Sequence, residues 1–236
     1  MNDQEIKIGV YYIATGPYKV LFPEFLESLQ NFYPPYKKVV KVISDGLEEY
    51  AIYEKGNVKV ELCPRINHYP WPVVTLYKMW NILENRDDTC DFCCYFNGNA
   101  QVFPHDMDVF SSDKLTTSYH SFNTKTIPYD PWPHISLDPN SVAYLENGTY
   151  EYVQAAFFFG PRDLFYQMCE EVNAMVKDDT GRYLFAQWHD ESYLNKWCVM
   201  HPEFVEKKYV LAAYSDDVDE TRFVHLRDKR NYDINK

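Results

Sequence analysis

Two neighbouring carboxylates at the expected start of a helix are the residues of this sequence most suited to chemistry. Asp190 and Glu191 directly follow Trp188 and His189, and an apolar helical period continues from there to Val199. Acids at this end of a helix are often present only because they complement the helix dipole. The flanking aromatic residues favour a binding or catalytic role, because such side chains pack against a ligand and bond to its hydroxyl groups.

A second polar group, Asn97-Gly98-Asn99, directly follows an apolar run that is typical of a buried strand. Two asparagines around a glycine usually form a tight turn. A polar loop at the end of a strand in an α/β sheet is also where such sheets bind ligands. We therefore treat this loop, together with Ala14–Tyr18 after the first strand, as candidate binding segments.

Periodicity predicts the elements that must position these residues. Strands and helices alternate through the first hundred residues, which indicates an α/β fold with a mostly parallel sheet joined by right-handed crossovers. The stretch 113–150 has no clear period and is predicted to be a functional excursion. The predicted strands are Ile6–Ile13, Lys38–Ser44, Val58–Leu62, Asp91–Phe96 and Tyr152–Phe159, and the predicted helices are Pro23–Phe32, Val73–Leu83, Arg162–Lys177 and Phe185–Val199.

Composition excludes several classes of protein. With 236 residues, 46% hydrophobic and 25% charged, the chain is expected to be globular. A net charge of −12 argues against binding nucleic acid. No apolar run approaches the ~20 residues of a membrane span. Without a recognisable secretory signal, a cytoplasmic location is expected. Only 8 glycines are present and no glycine-rich phosphate loop occurs, whereas the 21 tyrosines suit either a packed core or a sugar site.

The six cysteines do not form a convincing metal site. Cys90 and Cys93 are spaced as a C-x-x-C pair, but no second pair or nearby histidines accompany them. The segment DFCCYF also has the pattern of a buried strand, in which residues three apart point to opposite faces. We expect buried, reduced thiols, which fits a cytoplasmic protein.

The run AQWHDESYLNKW, residues 186–197, resembles the sequence motif of glycosyltransferase family 6, which includes the histo-blood-group A and B enzymes and the α-1,3-galactosyltransferases. Three further segments are similar to this family over most of the chain: Ile8–Tyr18, His68–Met79 and Tyr152–Gly160. The resemblance implies a GT-A type fold, with a nucleotide-binding sheet, an irregular acceptor-side lobe and a UDP-sugar donor. We expect one catalytic domain, with 1–101 as the UDP-binding half, 102–221 as the donor-sugar and acceptor half, and 222–236 as a basic tail.

The sequence departs from the animal enzymes at the asparagine loop, where they carry Asp-x-Asp. Two carboxylates at that spacing hold Mn²⁺ or Mg²⁺, whereas Asn97 and Asn99 offer only neutral oxygens. The departure resembles bacterial, metal-independent members of the family, most closely of Bacteroides type. It implies that no cofactor is needed. If a metal were used after all, Asp87 with Asp88 or Asp106 with Asp108 would be the places to look.

The resemblance also implies a role for individual residues. Glu191 matches the catalytic glutamate of a retaining transfer, either as nucleophile or as stabiliser of an oxocarbenium-like ion. Asp190 matches a contact to the donor sugar, and Trp188 and His189 match acceptor contacts. UDP binding is expected from the first strand and turn, the second helical segment and the asparagine loop: Tyr12, Ile13, Ala14, Tyr18, Trp71, Lys78, Asn97 and Asn99.

Donor choice is expected to depend on Gln154, Ala155 and Ala156. The small side chains leave room for an acetamido group that Gln154 can bond, so UDP-N-acetylgalactosamine (UDP-GalNAc) is favoured over UDP-galactose. From the family alone, the product is an α-1,3 linkage and the acceptor is a β-galactoside, fucosylated as in the H antigen.

The basic tail offers positive charge for the diphosphate. Residues 222–236 carry five basic residues against two acids, so they balance at +3 in an acidic chain. We predict that Arg227, Lys229 and Arg230 close over the diphosphate as a mobile lid, unless the tail is a solvated end. Truncation after Phe223 should then leave a folded protein.

Two other classes of function remain open. An inactive carbohydrate-binding relative would explain the missing Asp-x-Asp, although it has no use for Glu191. A glycoside hydrolase is disfavoured, because adjacent acids cannot flank one bond at the separation of about 5–9.5 Å that two catalytic carboxyl groups require.

Overall fold

The computed structural model describes residues 6–64, 73–104, 113–127, 138–208, 211–213 and 223–232. Trp71, Asp106 and Asp108, which the sequence analysis singled out, lie outside these residues, and so does the side chain of Arg230.

Eleven strands and five helices make up the regular structure of the described residues. The strands are β1 (Lys7–Ala14), β2 (Lys37–Ser44), β3 (Glu54–Lys55), β4 (Val58–Pro64), β5 (Phe92–Phe96), β6 (Ala100–Val102), β7 (Leu115–Ile127), β8 (Gly148–Pro161), β9 (Val205–Lys208), β10 (Leu211–Ala213) and β11 (Val224–Leu226). The helices are α1 (Phe22–Ser28), α2 (Val73–Leu76), α3 (Lys78–Glu84), α4 (Arg162–Gly181) and α5 (Asp190–Met200).

Eight strands form one sheet in the order β3-β4-β2-β1-β5-β8-β7-β9. Only β3 and β8 run against the other six strands, so the predicted mostly parallel α/β sheet of GT-A type is confirmed. The strand order reverses at β1, which has β2 on one side and β5 on the other. Ligands bind open α/β sheets at such a switch point.

Strand β1 is buried on both faces because the sheet separates two hydrophobic clusters. Tyr11 and Ile13 pack with α3, α4 and α5 on one face, while Val10 and Tyr12 pack with α1 and β11 on the other. This explains why β1 reads as a continuous apolar run rather than an alternating one. Many of the abundant tyrosines serve this core.

The prediction that the cysteines are reduced and buried agrees with the structure, but the predicted orientation of the Cys90 and Cys93 side chains does not. All six cysteines are buried free thiols. Cys90 precedes β5 instead of lying in it, and its sulfur approaches the same point beside Gly9 as the sulfur of Cys93. A Cβ on Gly9 would lie 3.1 and 3.3 Å from the two Sγ atoms. The expectation that the two side chains point to opposite faces was therefore wrong.

Several elements differ from those that the hydrophobic periodicity of the sequence predicts. The expected helix Val73–Leu83 is divided at Tyr77 into α2 and α3, and the expected helix from Phe185 begins only at Asp190. The stretch 113–150 contains β7, a long strand that pairs with β8. Its sequence LTTSYHSFNTKTI is polar and therefore lacks apolar alternation, but its threonines favour extended backbone.

The C-terminal segment is part of the fold. Strand β11 pairs with β6 and with β10 in a second, three-stranded sheet. Phe223, Val224 and Leu226 are buried in the core. The expectation that the residues after Phe223 form a mobile lid or a solvated end was wrong for residues 224–227. None of the helices among the described residues is long and apolar enough to cross a bilayer.

Candidate active site

A cleft of about 250 Å³ brings together most of the predicted site residues. Its walls come from the end of β5, the middle of β8, the α2–α3 segment, the start of α5 and the C-terminal segment. The lining residues are Thr75, Lys78, Asn97, Gln154, Ala155, Ala156, Trp188, His189, Asp190, Glu191 and Lys229.

A bulge in β8 forms one wall of the cleft. Thr117 of β7 pairs with Phe158, but the next residue of β7, Ser118, pairs with Gln154, so residues 155–157 have no partner in β7. Their backbone groups must find other partners. The N–H of Ala155 donates to Glu191 Oε2 at 3.0 Å, and its carbonyl accepts from Lys78 Nζ at 2.7 Å. Ala155 therefore contacts two of the charged side chains of the cleft, Glu191 and Lys78.

Glu191, at the beginning of α5, is held by hydrogen bonds to both of its side-chain oxygens. Besides the N–H of Ala155, it accepts a hydrogen bond from the hydroxyl of Tyr152 at Oε1. Both donors act on a side chain that lies in the first turn of α5. Each carboxylate oxygen is thus fixed by one donor, which sets the direction of the group.

Asp190 and Lys78 form a buried ion pair next to Glu191. Lys78 Nζ lies 2.5 Å from Asp190 Oδ2, and both side chains are nearly inaccessible. The same amine lies 4.2 Å from the ring centre of Tyr95. Burial raises the pKa of Asp190, and the charge of Lys78 opposes this shift. Removing one partner would leave an uncompensated buried charge, which costs about 3–5 kcal/mol.

Helix α5 is fixed against β8 by the amide of Asn195. Its Oδ1 accepts from the N–H of Val153 at 2.9 Å, and its Nδ2 donates to the carbonyls of Val153 and Glu191, each at 2.8 Å. The amide fills the place that a neighbouring strand would take. It therefore fixes the position of Glu191 relative to β8.

The residues before α5 adopt a strained backbone. Trp188 and His189 have φ angles of 66° and 51°, values that residues other than glycine rarely adopt. This turn explains why the helical period from Phe185 does not form a helix until Asp190. It places Trp188 at the mouth of the cleft, with about half of its surface exposed.

Two buried polar atoms in the cleft have neither a hydrogen-bond partner nor an ion-pair partner among the described residues. They are Gln154 Oε1 and His189 Nδ1, and both are buried. Buried polar atoms are normally paired, so an unpaired acceptor in a cleft indicates a place for a ligand donor.

The asparagine loop divides into one cleft residue and one anchor. Asn97 lines the cleft, and its Nδ2 donates to Asn99 Oδ1 at 2.9 Å. Asn99 is fully buried, and its Nδ2 donates to the carbonyl of Arg227 at 2.7 Å. Both ends of the Asn99 amide are therefore engaged within the protein, and neither asparagine offers the charged oxygen that hard divalent cations prefer.

The basic residues of the C-terminal segment have different surroundings. Arg227 is buried away from the cleft, with Nη1 2.5 Å from Glu24 Oε2, so its predicted contact with the diphosphate was wrong. Lys229 lines the cleft, and its Nζ lies 5.1 Å from the ring centre of Tyr18. Burial and the nearby Lys78 lower the pKa of Lys229.

Some predicted UDP contacts lie behind the cleft. Tyr12, Ile13 and Ala14 are fully buried and do not line it. The hydroxyl of Tyr12 donates to the carbonyl of Gly98 at 2.5 Å, so this residue supports the asparagine loop. Tyr18 is buried beneath Lys229.

The sequence analysis missed Thr75, Tyr152 and Asn195. Two sequence signals could have found two of them. Tyr152 lies two residues before Gln154 in the same strand, and Asn195 lies four residues after Glu191 on the same helix face.

Among the described residues, no group of three or more His, Cys, Asp or Glu side chains is arranged to hold a metal ion. Asp87, one of the alternative ligands considered above, is engaged with Lys7 and Thr89.

Comparisons with known proteins agree with the geometry. The family model of glycosyltransferase family 6 matches residues 107–229, slightly more than half of the chain. The O-antigen biosynthesis glycosyltransferase WbnI of Escherichia coli is 28% identical over 193 residues, which cover 80% of each chain. The match to the family model includes the cleft residues from Gln154 to Lys229.

Proposed function

The chain belongs to glycosyltransferase family 6, and from this premise we propose that it is a retaining α-1,3-N-acetylgalactosaminyltransferase that needs no metal ion. Family membership makes the protein a transferase with a nucleotide-sugar donor and a glycan acceptor. The particular donor, acceptor and linkage are our proposal.

The observation that carries the proposal is the pair of hydrogen bonds that Glu191 accepts from the hydroxyl of Tyr152 and the N–H of Ala155. In a retaining transfer, the bond between the anomeric carbon and the diphosphate oxygen breaks, and the new bond to the acceptor oxygen forms on the same face of the sugar. The acceptor hydroxyl gives its proton to the departing diphosphate oxygen. A fixed carboxylate on the opposite face either attacks the anomeric carbon or balances its developing positive charge. A carbohydrate-binding protein would gain nothing from such a group.

The donor sugar is proposed to lie along the bulge of β8. The methyl side chains of Ala155 and Ala156 leave space at this wall of the cleft. Gln154 Oε1 is the buried acceptor without a partner, and an acetamido N–H can donate to it. Both features favour UDP-GalNAc over UDP-galactose. Asp190 would accept from sugar hydroxyls, since its carboxylate faces the same cleft.

We propose that lysines, instead of a metal ion, neutralise the charge of the leaving diphosphate. Lys229 and Lys78 both line the cleft. Asp190 already compensates much of the charge of Lys78, so Lys229 has the larger role. The amide of Asn97 can donate directly to a phosphate or ribose oxygen, which a carboxylate cannot do without a metal.

The acceptor is proposed to enter at Trp188 and His189. The half-exposed ring of Trp188 offers a face for a galactose residue, and His189 Nδ1 can bond to a hydroxyl group. The similar protein from Escherichia coli is named for O-antigen biosynthesis, so a bacterial surface glycan containing a β-galactoside, with or without fucose, is the proposed acceptor class. Six unpaired, buried thiols suit a reaction in the reducing cytoplasm.

The test is to incubate the protein with UDP-GalNAc or UDP-galactose and with fucosylated and plain β-galactosides, each with and without EDTA. We expect N-acetylgalactosamine transfer that EDTA does not reduce, with an α-anomeric product by NMR. A β-linked product would contradict retention. Loss of activity in EDTA, restored by Mn²⁺, would contradict metal independence, and transfer of galactose alone would overturn the donor assignment. If no donor–acceptor pair reacts, the protein is better explained as an inactive carbohydrate-binding relative.

A further inference from the structure

We infer that Glu24 and Asn99, neither of which lines the cleft, are positioning residues that hold Lys229 at the diphosphate site. The inference rests on the proposed function, because it gives Lys229 the role of facing the diphosphate. It adds that the orientation of this lysine is built by two anchors, one on each side of it in sequence.

The first anchor holds Arg227, two residues before the lysine. Asn99 Nδ2 donates to the carbonyl of Arg227, and the N–H of Arg227 donates to the carbonyl of Asn99 at 3.0 Å. The guanidinium donates to the carbonyls of Leu21 and Ala100 at 2.9 and 3.3 Å. The backbone of Arg227 is thus fixed in a buried position.

The second anchor holds Tyr232, three residues after the lysine. Its hydroxyl donates to Glu24 Oε2 at 3.0 Å, and its ring packs against Tyr18 and Leu21. The same carboxylate oxygen of Glu24 also accepts from Arg227 Nη1 at 2.5 Å. One side chain, at the start of α1, therefore joins both ends of the segment 227–232.

Lys229 lies between the two anchors, at the start of a short 3-10 helix formed by Lys229–Tyr232. A lysine side chain has many rotamers, and ordering it on ligand binding costs conformational entropy. A fixed backbone on both sides, with the ring of Tyr18 beneath the amine, reduces that cost. Glu24 compensates Arg227, and among the side chains of this segment that the structure describes, Lys229 is the one that brings a positive charge to the cleft.

The hydrogen bond to Arg227 also gives Asn99 a structural role that does not involve a cation. An aspartate at position 99 would place a carboxylate oxygen against the carbonyl of Arg227, where the structure has a donor. Asn99→Asp should therefore loosen the segment rather than create a metal site.

The test measures UDP binding by calorimetry for Glu24→Gln and Asn99→Ser, each in the wild-type and the Lys229→Gln background. Glu27→Gln is the matched control, because Glu27 is an exposed acid on the same helix and does not contact the segment. In the wild-type background we expect the Kd for UDP to rise about three- to tenfold for both variants, the scale of losing one or two hydrogen bonds to a charged group. In the Lys229→Gln background the further rise should be less than about twofold, because residues that act through one another are not additive.

Hydrogen exchange of residues 223–232 provides a readout that does not depend on activity. We expect faster exchange there in Glu24→Gln and Asn99→Ser, and wild-type exchange in Glu27→Gln. Equal effects of Glu24→Gln in both backgrounds, or faster exchange with an unchanged Kd, would overturn the inference. Wild-type protein that binds no UDP, or a Lys229→Gln variant that binds it normally, would instead contradict the proposed function.

Discussion

The backbone N–H of Ala155 donates to Oε2 of Glu191 across 3.0 Å, so the strand proposed to select the donor also orients the proposed catalytic carboxylate. The bond exists because the bulge of β8 leaves this N–H without a partner in β7. In the proposed function, donor recognition and catalysis therefore share one peptide group. Predictions about either must consider both.

Glu191→Gln should lower kcat by at least about 10²-fold, the scale of losing one preorganised electrostatic contact. The substitution keeps the shape of the side chain but removes the charge that balances the developing cation. Its affinity for UDP should stay close to the wild-type value. Steady-state kinetics with a UDP-binding measurement checks both. Turnover near the wild-type rate would remove Glu191 from the chemistry.

Tyr152→Phe should lower kcat by about tenfold or more and change the KM for the sugar nucleotide little. The substitution removes one hydrogen bond to Glu191 but keeps the buried aromatic ring. The loss should be smaller than in Glu191→Gln, since the N–H of Ala155 remains. Kinetics of the double variant provide the control. If Tyr152→Phe is as harmful in the Glu191→Gln background as in the wild type, its hydroxyl does not act through Glu191.

Gln154→Leu should reduce the preference for UDP-GalNAc over UDP-galactose by about tenfold, the effect of losing one buried polar contact of 1–3 kcal/mol. The substitution keeps a similar volume but removes the acceptor proposed for the acetamido N–H. The ratio of kcat/KM for the two donors is the measurement. An unchanged ratio would mean that another group recognises the acetamido substituent.

UDP affinity should decline as the pH rises through the lowered pKa of Lys229, before the ordinary lysine value of about 10.4 is reached. Only the protonated amine attracts the diphosphate, so Lys229 contributes fully to UDP affinity below this pKa, and the contribution is lost above it. Binding should also take up protons in that range, because the bound diphosphate favours the charged amine. Lys229→Arg should flatten the alkaline decline, since arginine stays protonated. The same decline in both proteins would assign it to another group.

Much of the fold could be predicted because the parallel strands are buried on both faces. The apolar runs of β1, β2 and β5 are unambiguous for this reason. Strand β7 could not be found by the same criterion, since its threonines and serines carry no apolar alternation. Its partner β8 was recognised, but the bulge at Ala155 depends on contacts with Lys78 and Glu191 that lie far away in sequence.

The candidate site was predictable where adjacent residues share a role. Residues 188–191 were grouped correctly because they are neighbours, and the cleft does contain all four. The anchors of the C-terminal segment were not predictable, because Glu24 and Asn99 meet Arg227 only after the whole sheet has formed. Charge arithmetic placed Arg227 and Lys229 together, whereas the structure directs Arg227 to the core and Lys229 to the cleft. Truncation after Phe223 is consequently a poor test of the tail, since it would remove a core strand.

The pairing of β11 with β6 also has a consequence during synthesis of the chain. Residues 100–102 leave the ribosome more than a hundred residues before their partners at 224–226, so the second sheet closes only after most of the protein has been made. Until then the aromatic residues that Phe223 covers, Phe32 and Phe96 among them, remain uncovered on one side. Nascent chains with exposed apolar surface are the substrates of chaperones. Nucleotide binding at the cleft would thus have to wait until the chain has been synthesised at least to Lys229.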